Sequence, residues 1–200
     1  MAETPPRRTQ EQRRAETERR VLDAAMDLIA RNGSRGVTLA QVGEAAGYSR
    51  GIVYHHFGSR ERLLEAVVDA GRWFEIPPYE GNGLAHLTGL VEAYLRNIAD
   101  RTPSTRAFLQ LWGEAIAADP LLAPLFAQRD KSFRRYLADL VRQGVADGSI
   151  RGDADPAAAA VLLLALLRGT GMQLIATPPV RNLPAVIREA TRSVRAAFSG

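Results

Sequence analysis

Between Glu44 and Glu61 the chain carries no carboxylate, although acidic residues flank this stretch on both sides. Within it stand Ser49, Arg50, Gly51, Tyr54 and His55: a hydroxyl, a guanidinium, a residue without a side chain, a phenol and an imidazole. The polar members can all donate to a phosphate oxygen or a base edge, and the glycine lets a neighbouring surface come close. A surface that faces phosphates must avoid carboxylates, so the gap in acid is part of the signal. Wound at about 100° per residue, Arg50, Gly51, Tyr54 and His55 share one side of a helix, while Ile52, Val53, His56 and Phe57 share the other. The second side is expected to anchor the helix and the first to be presented outward. His56 reads as a packed, hydrogen-bonded histidine rather than a reader.

Other chemistries find little footing. The 200 residues include no cysteine, which removes disulfides, thiolate metal sites and cysteine nucleophiles. His55 and His56 are adjacent and diverge, and His86 is distant, so no i,i+4 ligand pair exists; no metal and no other cofactor is expected. There is no Gly-rich phosphate loop, GxSxG or HExxH, and the chain is not expected to be an enzyme.

The elements that must position these residues are helices. Val21, Leu22, Ala25, Leu28 and Ile29 form one stripe of a helix running from about Thr9 to Asn32, with Gly33 as its stop. Thr38-Leu-Ala-Gln41 is a capping-box pattern that opens a second, short helix ending at Gly47. Ser49 is the N-cap of a third helix ending near Phe57, with Gly58 as its stop. Ser59 caps a fourth, with Glu61 and Glu65 near its positive end and the helix running past Trp73. Loop signals at Pro77-Pro78 and Gly81-Asn82-Gly83 follow. Further helices are expected at about 84–101, 104–118, 121–147, 156–176 and 183–198, with boundaries good to ~2–4 residues. No β-hairpin signature occurs, so the fold class is all-α. Two short helices joined by the Gly47-Tyr48-Ser49 turn make a helix-turn-helix, whose second helix enters the DNA major groove.

Charge does not decide the matter globally. Net charge is +4, from 26 basic and 22 acidic residues, and every basic residue except Lys131 is arginine. Residues 1–72 carry 12 Arg against 10 acids and residues 73–200 carry 14 basic residues against 12, so the excess is spread evenly. Hydrophobic residues make up 46% and charged residues 24%, the balance of a globular protein. The start of the chain lacks the apolar region of a secretory signal, and the run Ala157–Leu167 is too short to span a bilayer; a cytoplasmic protein is expected.

The stretch from Thr38-Leu-Ala-Gln-Val-Gly through Ser49-Arg-Gly-Ile-Val-Tyr54-His-His-Phe57-Gly-Ser-Arg-Glu-Arg-Leu-Leu64 resembles the DNA-binding signature of TetR-type (tetracycline-repressor-like) transcriptional regulators. The match spans roughly Arg19–Leu64. A weaker one runs from Phe108-Leu-Gln-Leu-Trp112-Gly-Glu114 through Ala154-Asp155-Pro156. The resemblance implies an all-helical homodimer with an amino-terminal three-helix DNA-binding domain and a larger ligand-sensing and dimerisation domain. Residues 1–10 are then a disordered basic arm, 11–58 the helix-turn-helix domain and 59–200 the sensing domain. By the motif, Thr38 and Tyr54 reach phosphates, Arg60 reaches another, and Ser49, Arg50, Gly51 and His55 lie on the recognition face. A bidentate Arg50–guanine pair is worth ~1–3 kcal/mol of discrimination. The sequence departs from the family in two places. Gly43 replaces the usual alanine and is expected to loosen its helix by up to ~1 kcal/mol, and Arg60 replaces a lysine.

In the larger domain, Ala157–Leu167 is apolar on every face and so needs a second protein surface. Val161, Leu164, Arg168 and Met172, with Val186, Ile187 and Val194 of the last helix, are the expected dimer interface. The dimer would place two recognition helices ~34–36 Å apart on a palindromic operator of double-stranded DNA. Candidate residues lining a pocket for a small-molecule effector are Trp73, Phe74, Tyr94, Phe108, Trp112, Phe133, Tyr136 and Met172, with Glu114 and Gln173 as polar determinants. The expected function is a ligand-responsive transcriptional regulator, a repressor. The alternative is a helical interaction or small-molecule-binding module without sequence-specific DNA binding.

Overall fold

The structure, a computed structural model, describes residues 9–70, 81–176 and 181–200. Among them run α1 (Gln10–Asn32), α2 (Leu39–Ala46), α3 (Arg50–Phe57), α4 (Arg60–Ala70), α5 (Gly83–Ala99), α6 (Pro103–Ile116), α7 (Leu122–Ala146), α8 (Pro156–Ile175) and α9 (Leu183–Phe198). No β-strand forms among the described residues; Ile150 and Ser199 make an isolated bridge. The helix ends follow from local chemistry. Thr9 and Thr38 each make a complete capping box, Asn82, Asp155 and Asn182 accept amide hydrogens at the starts of α5, α8 and α9, and Gly47 ends α2 in the left-handed conformation. Thr9 and Gln10, expected in a frayed arm, are thus the cap and first residue of α1. The rest of that arm, the Pro77-Pro78 loop, and Trp73 and Phe74 lie outside the described residues.

Packing arranges the helices around two seams. The short α2 and α3 pack on each other, α2 lies on α1, and α4 contacts both α1 and α3. The expected division at Gly58 falls between α3 and α4. In the larger part α5 is central, in contact with α7, α8 and α9, and buries Leu84, Leu87, Leu90, Val91, Tyr94, Leu95 and Ile98. Helix α6 packs on α1 on one side and α7 on the other, which joins the two parts through one hydrophobic core.

Two apolar helices sort themselves differently from the expectation. Helix α9 spends its stripe on α5: Ile187 and Val194 are buried inside the protomer, and its outer side carries Arg188, Glu189, Arg192 and Arg195. Leu164 and Arg168 of α8 are also buried, and Val186 is partly so. None of the four buried residues can face a partner as expected. Periodicity shows that a stripe exists without showing which neighbour takes it. The exposed side of α8 instead presents Val161 and Leu162, 55% and 66% exposed, with Ala165, Gly169 and Met172. The whole of α8 is also longer than the run expected to be too short for a bilayer. By length and composition its 20 residues could cross one, but its inner face packs on α5 and α7.

Among the described glycines, the tightest approach is at the start of α5. A Cβ on Gly83 would lie 2.3 Å from Gly144 N and 2.5 Å from its Cα on α7. Backbone cannot move aside as a flexible side chain can. Gly83→Ala is therefore expected to lower stability by about 1–3 kcal/mol, read by thermal denaturation. Gly113→Ala, whose Cβ meets nothing within 4 Å, is expected to be neutral or to stabilise its helix by up to ~1 kcal/mol.

Candidate nucleic-acid interface

The angle between α2 and α3 is set by a turn that lies directly on α2. Gly47 turns the chain with φ 76°, and Tyr48 N donates to Gly43 O at 2.7 Å. A Cβ on Gly43 would sit 2.9 Å from Tyr48 O. The glycine expected to loosen α2 is thus the residue that lets the turn close onto it. Arg20 of α1 stacks its guanidinium over the Tyr48 ring at 5.1 Å, which ties the turn to the first helix. Beneath the turn, Val42, Ala46, Val53 and Phe57 are buried.

Helix α3 therefore stands on a narrow base. Val53 and Phe57 anchor it, His56 is half-buried, and Ile52, expected on the anchoring side, is 39% exposed. An eight-residue helix held at one turn buries only the residues in line with that seam. Ser49, Arg50, Gly51 and His55 are all exposed, and Tyr54 is 60% exposed, so these five share one open face. The Ser49 hydroxyl accepts from Ile52 N at 3.3 Å. Thr38, also exposed, caps α2 through Gln41 N at 3.3 Å. Gly51 has no internal reason to be glycine. A Cβ there would meet only Ser49 Oγ, at an ordinary 3.7 Å, so packing does not require a glycine.

Arg60 does not join this face. Its Nε donates to Val37 O at 2.9 Å and its Nη2 to Ser34 O at 2.5 Å, so the guanidinium expected on a phosphate instead pins the α1–α2 loop to the start of α4. The same loop is gripped from the other part of the molecule. Glu114 of α6 accepts from Ser34 N at 2.9 Å and from the Ser34 hydroxyl, and Gln110 donates to it at 3.1 Å. Partial burial pushes the Glu114 carboxyl up, but the hydrogen bonds from Ser34 and Gln110 outweigh this and hold it below the ordinary carboxylate value. No sequence signal joins Ser34 to a residue 80 positions away, and Glu114, expected as a polar determinant of a pocket, holds this loop.

Among the described residues, the other pocket candidates stand in different surroundings. Tyr94 and Phe108 are buried; Trp112, Phe133 and Tyr136 are half-buried; Met172 and Gln173 are exposed. Tyr94 stacks on Phe133 with centroids 6.4 Å apart, and the Tyr136 hydroxyl lies 3.3 Å from His86 Nε2. Phe108 lines a closed pocket of about 10 Å³ between α1, α4, α6 and α7. Trp112 and Met172 line an open groove of about 500 Å³ between α6 and α8.

This arrangement has known counterparts. Residues 21–67 match the bacterial regulatory proteins of the tetR family, and residues 84–198 match the C-terminal region of BetI-type transcriptional repressors. The HTH-type transcriptional repressor KstR2 of Mycolicibacterium smegmatis is 31% identical over 142 residues, covering 68% of each chain. KstR2 of Rhodococcus jostii is 30% identical over 141 residues, again 68% of each. A TetR-family transcriptional regulator from Rhodococcus sp. superposes with TM-score 0.78 at 24% identity, covering 92% of this chain and all of that one. A TetR transcriptional regulator from Chloroflexus aurantiacus gives TM-score 0.79 at 22% identity over 94% and 98% of the two chains. The structural likenesses establish the fold.

Two measurements follow from the site. Gly51→Ala adds a methyl group where the fold has room, so its melting temperature should match or exceed the parent's while affinity for DNA falls; an unchanged affinity would mean that nothing approaches this backbone. Glu114→Gln should lower stability by about 1 kcal/mol at neutral pH. The contribution of a lowered carboxyl is present above its unfolded value near 4.5 and is lost as pH falls through the folded one. The gap in melting temperature between parent and variant should therefore close below about pH 4.5.

Proposed function

Because this chain belongs to the TetR family of bacterial regulatory proteins, and so is a DNA-binding transcriptional regulator, we propose that two copies read an inverted repeat as a cytoplasmic repressor released by a small molecule. Members of the family are regulators and in general not enzymes. The observation that carries the reading is the open face of α3. It presents Arg50, Tyr54 and His55 around a glycine that packing does not require, in a stretch free of acid. Tyr54 and Thr38 are suited to phosphates and Arg50 to a guanine edge.

Dimerisation is supported by α8, whose exposed Val161, Leu162 and Met172 make an apolar strip along a helix already packed on its other side. A second copy seated there would set two α3 helices on successive major grooves. Helix α6 touches α1 along its length and grips the α1–α2 loop through Glu114. A ligand that prefers one position of α6 would thereby change the spacing of the two reading helices. It can move that equilibrium only by its differential affinity for the two states.

The test is selection of duplexes from a random pool by refolded, ligand-free protein at two salt concentrations. An enriched inverted repeat is expected, with the logarithm of affinity falling linearly with the logarithm of salt. Leu162→Glu should give a folded monomer that no longer prefers two half-sites over one. No enrichment at either salt would overturn the reading.

A further inference from the structure

Val53 and Phe57 are buried and four residues apart, so they mark the line of α3 that faces the rest of the protein. At about 100° per residue the opposite side is centred on His55, with Gly51 one turn before it and Ile52 three residues before it. All three are exposed. Arg50 and Tyr54 stand on one flank of this ridge. Ile52, with 39% of its surface open, thus belongs to the outward ridge and not to the anchor. Among the described residues of α1–α4, the exposed large hydrophobics are Ile52 and Tyr54, and both are on α3. A lone apolar side chain on a surface needs no explanation; its position on the reading helix does.

Ile52 brings to this face what its neighbours lack. Ser49, Arg50, Tyr54 and His55 carry hydrogen-bonding groups suited to phosphate oxygens and polar base edges. Ile52 has no polar side-chain atom, and against a phosphate or a polar base edge it would exclude water without replacing the lost hydrogen bond. The major groove offers one apolar group, the C5 methyl of thymine. The place on the helix also suits base contact. Ile52 lies in the first turn of α3, its amide held by the Ser49 hydroxyl at 3.3 Å, and the N-terminal residues of a reading helix are the ones that meet base edges. Branched at Cβ, it keeps essentially one χ1 rotamer in a helix, so little freedom is lost on contact. Gly51 beside it adds no side chain to hold the helix off the base pairs.

We propose that Ile52 is a specificity-determining residue, packing its exposed side chain against the C5 methyl of one thymine in each half-site. This rests on the DNA-reading role of α3 given above. Burial of one methyl group corresponds to about a fourfold change in affinity for each half-site.

The test uses the full chain and the duplex enriched from the random pool. Each thymine of the half-site is replaced in turn by deoxyuridine, which pairs alike and lacks only the methyl group. Affinity is measured with the parent and with Ile52→Ala, whose folding is checked by thermal denaturation. With the parent, one position is expected to bind about fourfold more weakly as deoxyuridine, and about fifteenfold when both half-sites carry it. With Ile52→Ala that position should no longer distinguish the two bases. The parent's response needs no variant: if no thymine loses affinity as deoxyuridine, no methyl is read and the inference falls. A loss that persists undiminished in Ile52→Ala, so that the variant weakens both duplexes equally, overturns it too, because another residue then reads the methyl. Failure of the regulator reading looks different. A pool with no enriched duplex ends both, whereas an enriched duplex indifferent to every deoxyuridine sinks only the role of Ile52.

Discussion

Ser34 sits where the two parts of the protein meet, and its hydrogen bonds define that meeting. Its carbonyl accepts from Arg60 at the start of α4, while its amide and hydroxyl donate to Glu114 on α6. Helix α1 lies along α6 on one side and carries α2 and α4 on the other. The reading helix α3 rests on α2 and α4, so its position is inherited from α1 through contacts that do not involve it directly. A displacement of α6 cannot be absorbed in a loose linker, because the loop that would absorb it is bonded on both sides. This makes the seam the natural route of coupling.

What was legible in the sequence was local. Thr9, Thr38, Ser49, Gly47 and Gly58 mark helix ends because a cap needs only a few neighbouring residues to act, and the helix limits, apart from the end expected past Trp73 that lies outside the described residues, agree with the structure to within about two residues. The all-α class followed from the same signals. The open face of α3 was legible for a related reason: Arg50, Gly51, Tyr54 and His55 lie on one short helix whose period fixes their side. What failed depended on distant partners. Ile52 was assigned to the anchoring side because a helical wheel does not show how narrow the supporting seam is. Arg60 was assigned to a phosphate because nothing nearby shows that two loop carbonyls wait for it. Ile187 and Val194 were given to a partner when α5 already covers them.

Helix α8 shows why composition alone misleads in both directions. It is apolar enough to be mistaken for a span, yet one face is ordinary core and the other is exposed protein surface. The periodicity of such a helix is weak because both faces have reason to be apolar. Arg168 lies at the border between them, close in angle to exposed Val161, and only its length lets the charge reach back to Asp130. A charged residue at the edge of an apolar face is ordinarily expected in solvent or at an interface, and Arg168 is buried in the protomer. Its burial is visible only once α6 and α7 are in position.

Stability and response pull these features in opposite directions. The Ser34–Glu114 bonds and the Gly83–Gly144 approach are fully made and hold one arrangement of helices. Around Arg168 the bonding is less complete: its Nη2 donates to Asp130, and its buried Nε and Nη1 have no hydrogen-bond partner among the described residues. A protein that answers a ligand needs both kinds of region: a firm frame that carries a shift, and a place where the unliganded state is less than fully satisfied. A ligand gains most where it completes bonds the free protein lacks, since only that difference between states can move an equilibrium. Arg168 and Arg129 lie on one Phe108 ring, and Arg129 holds Val68 of α4. The buried charge of Arg168 therefore lies one side chain away from the helix that supports the DNA-reading face.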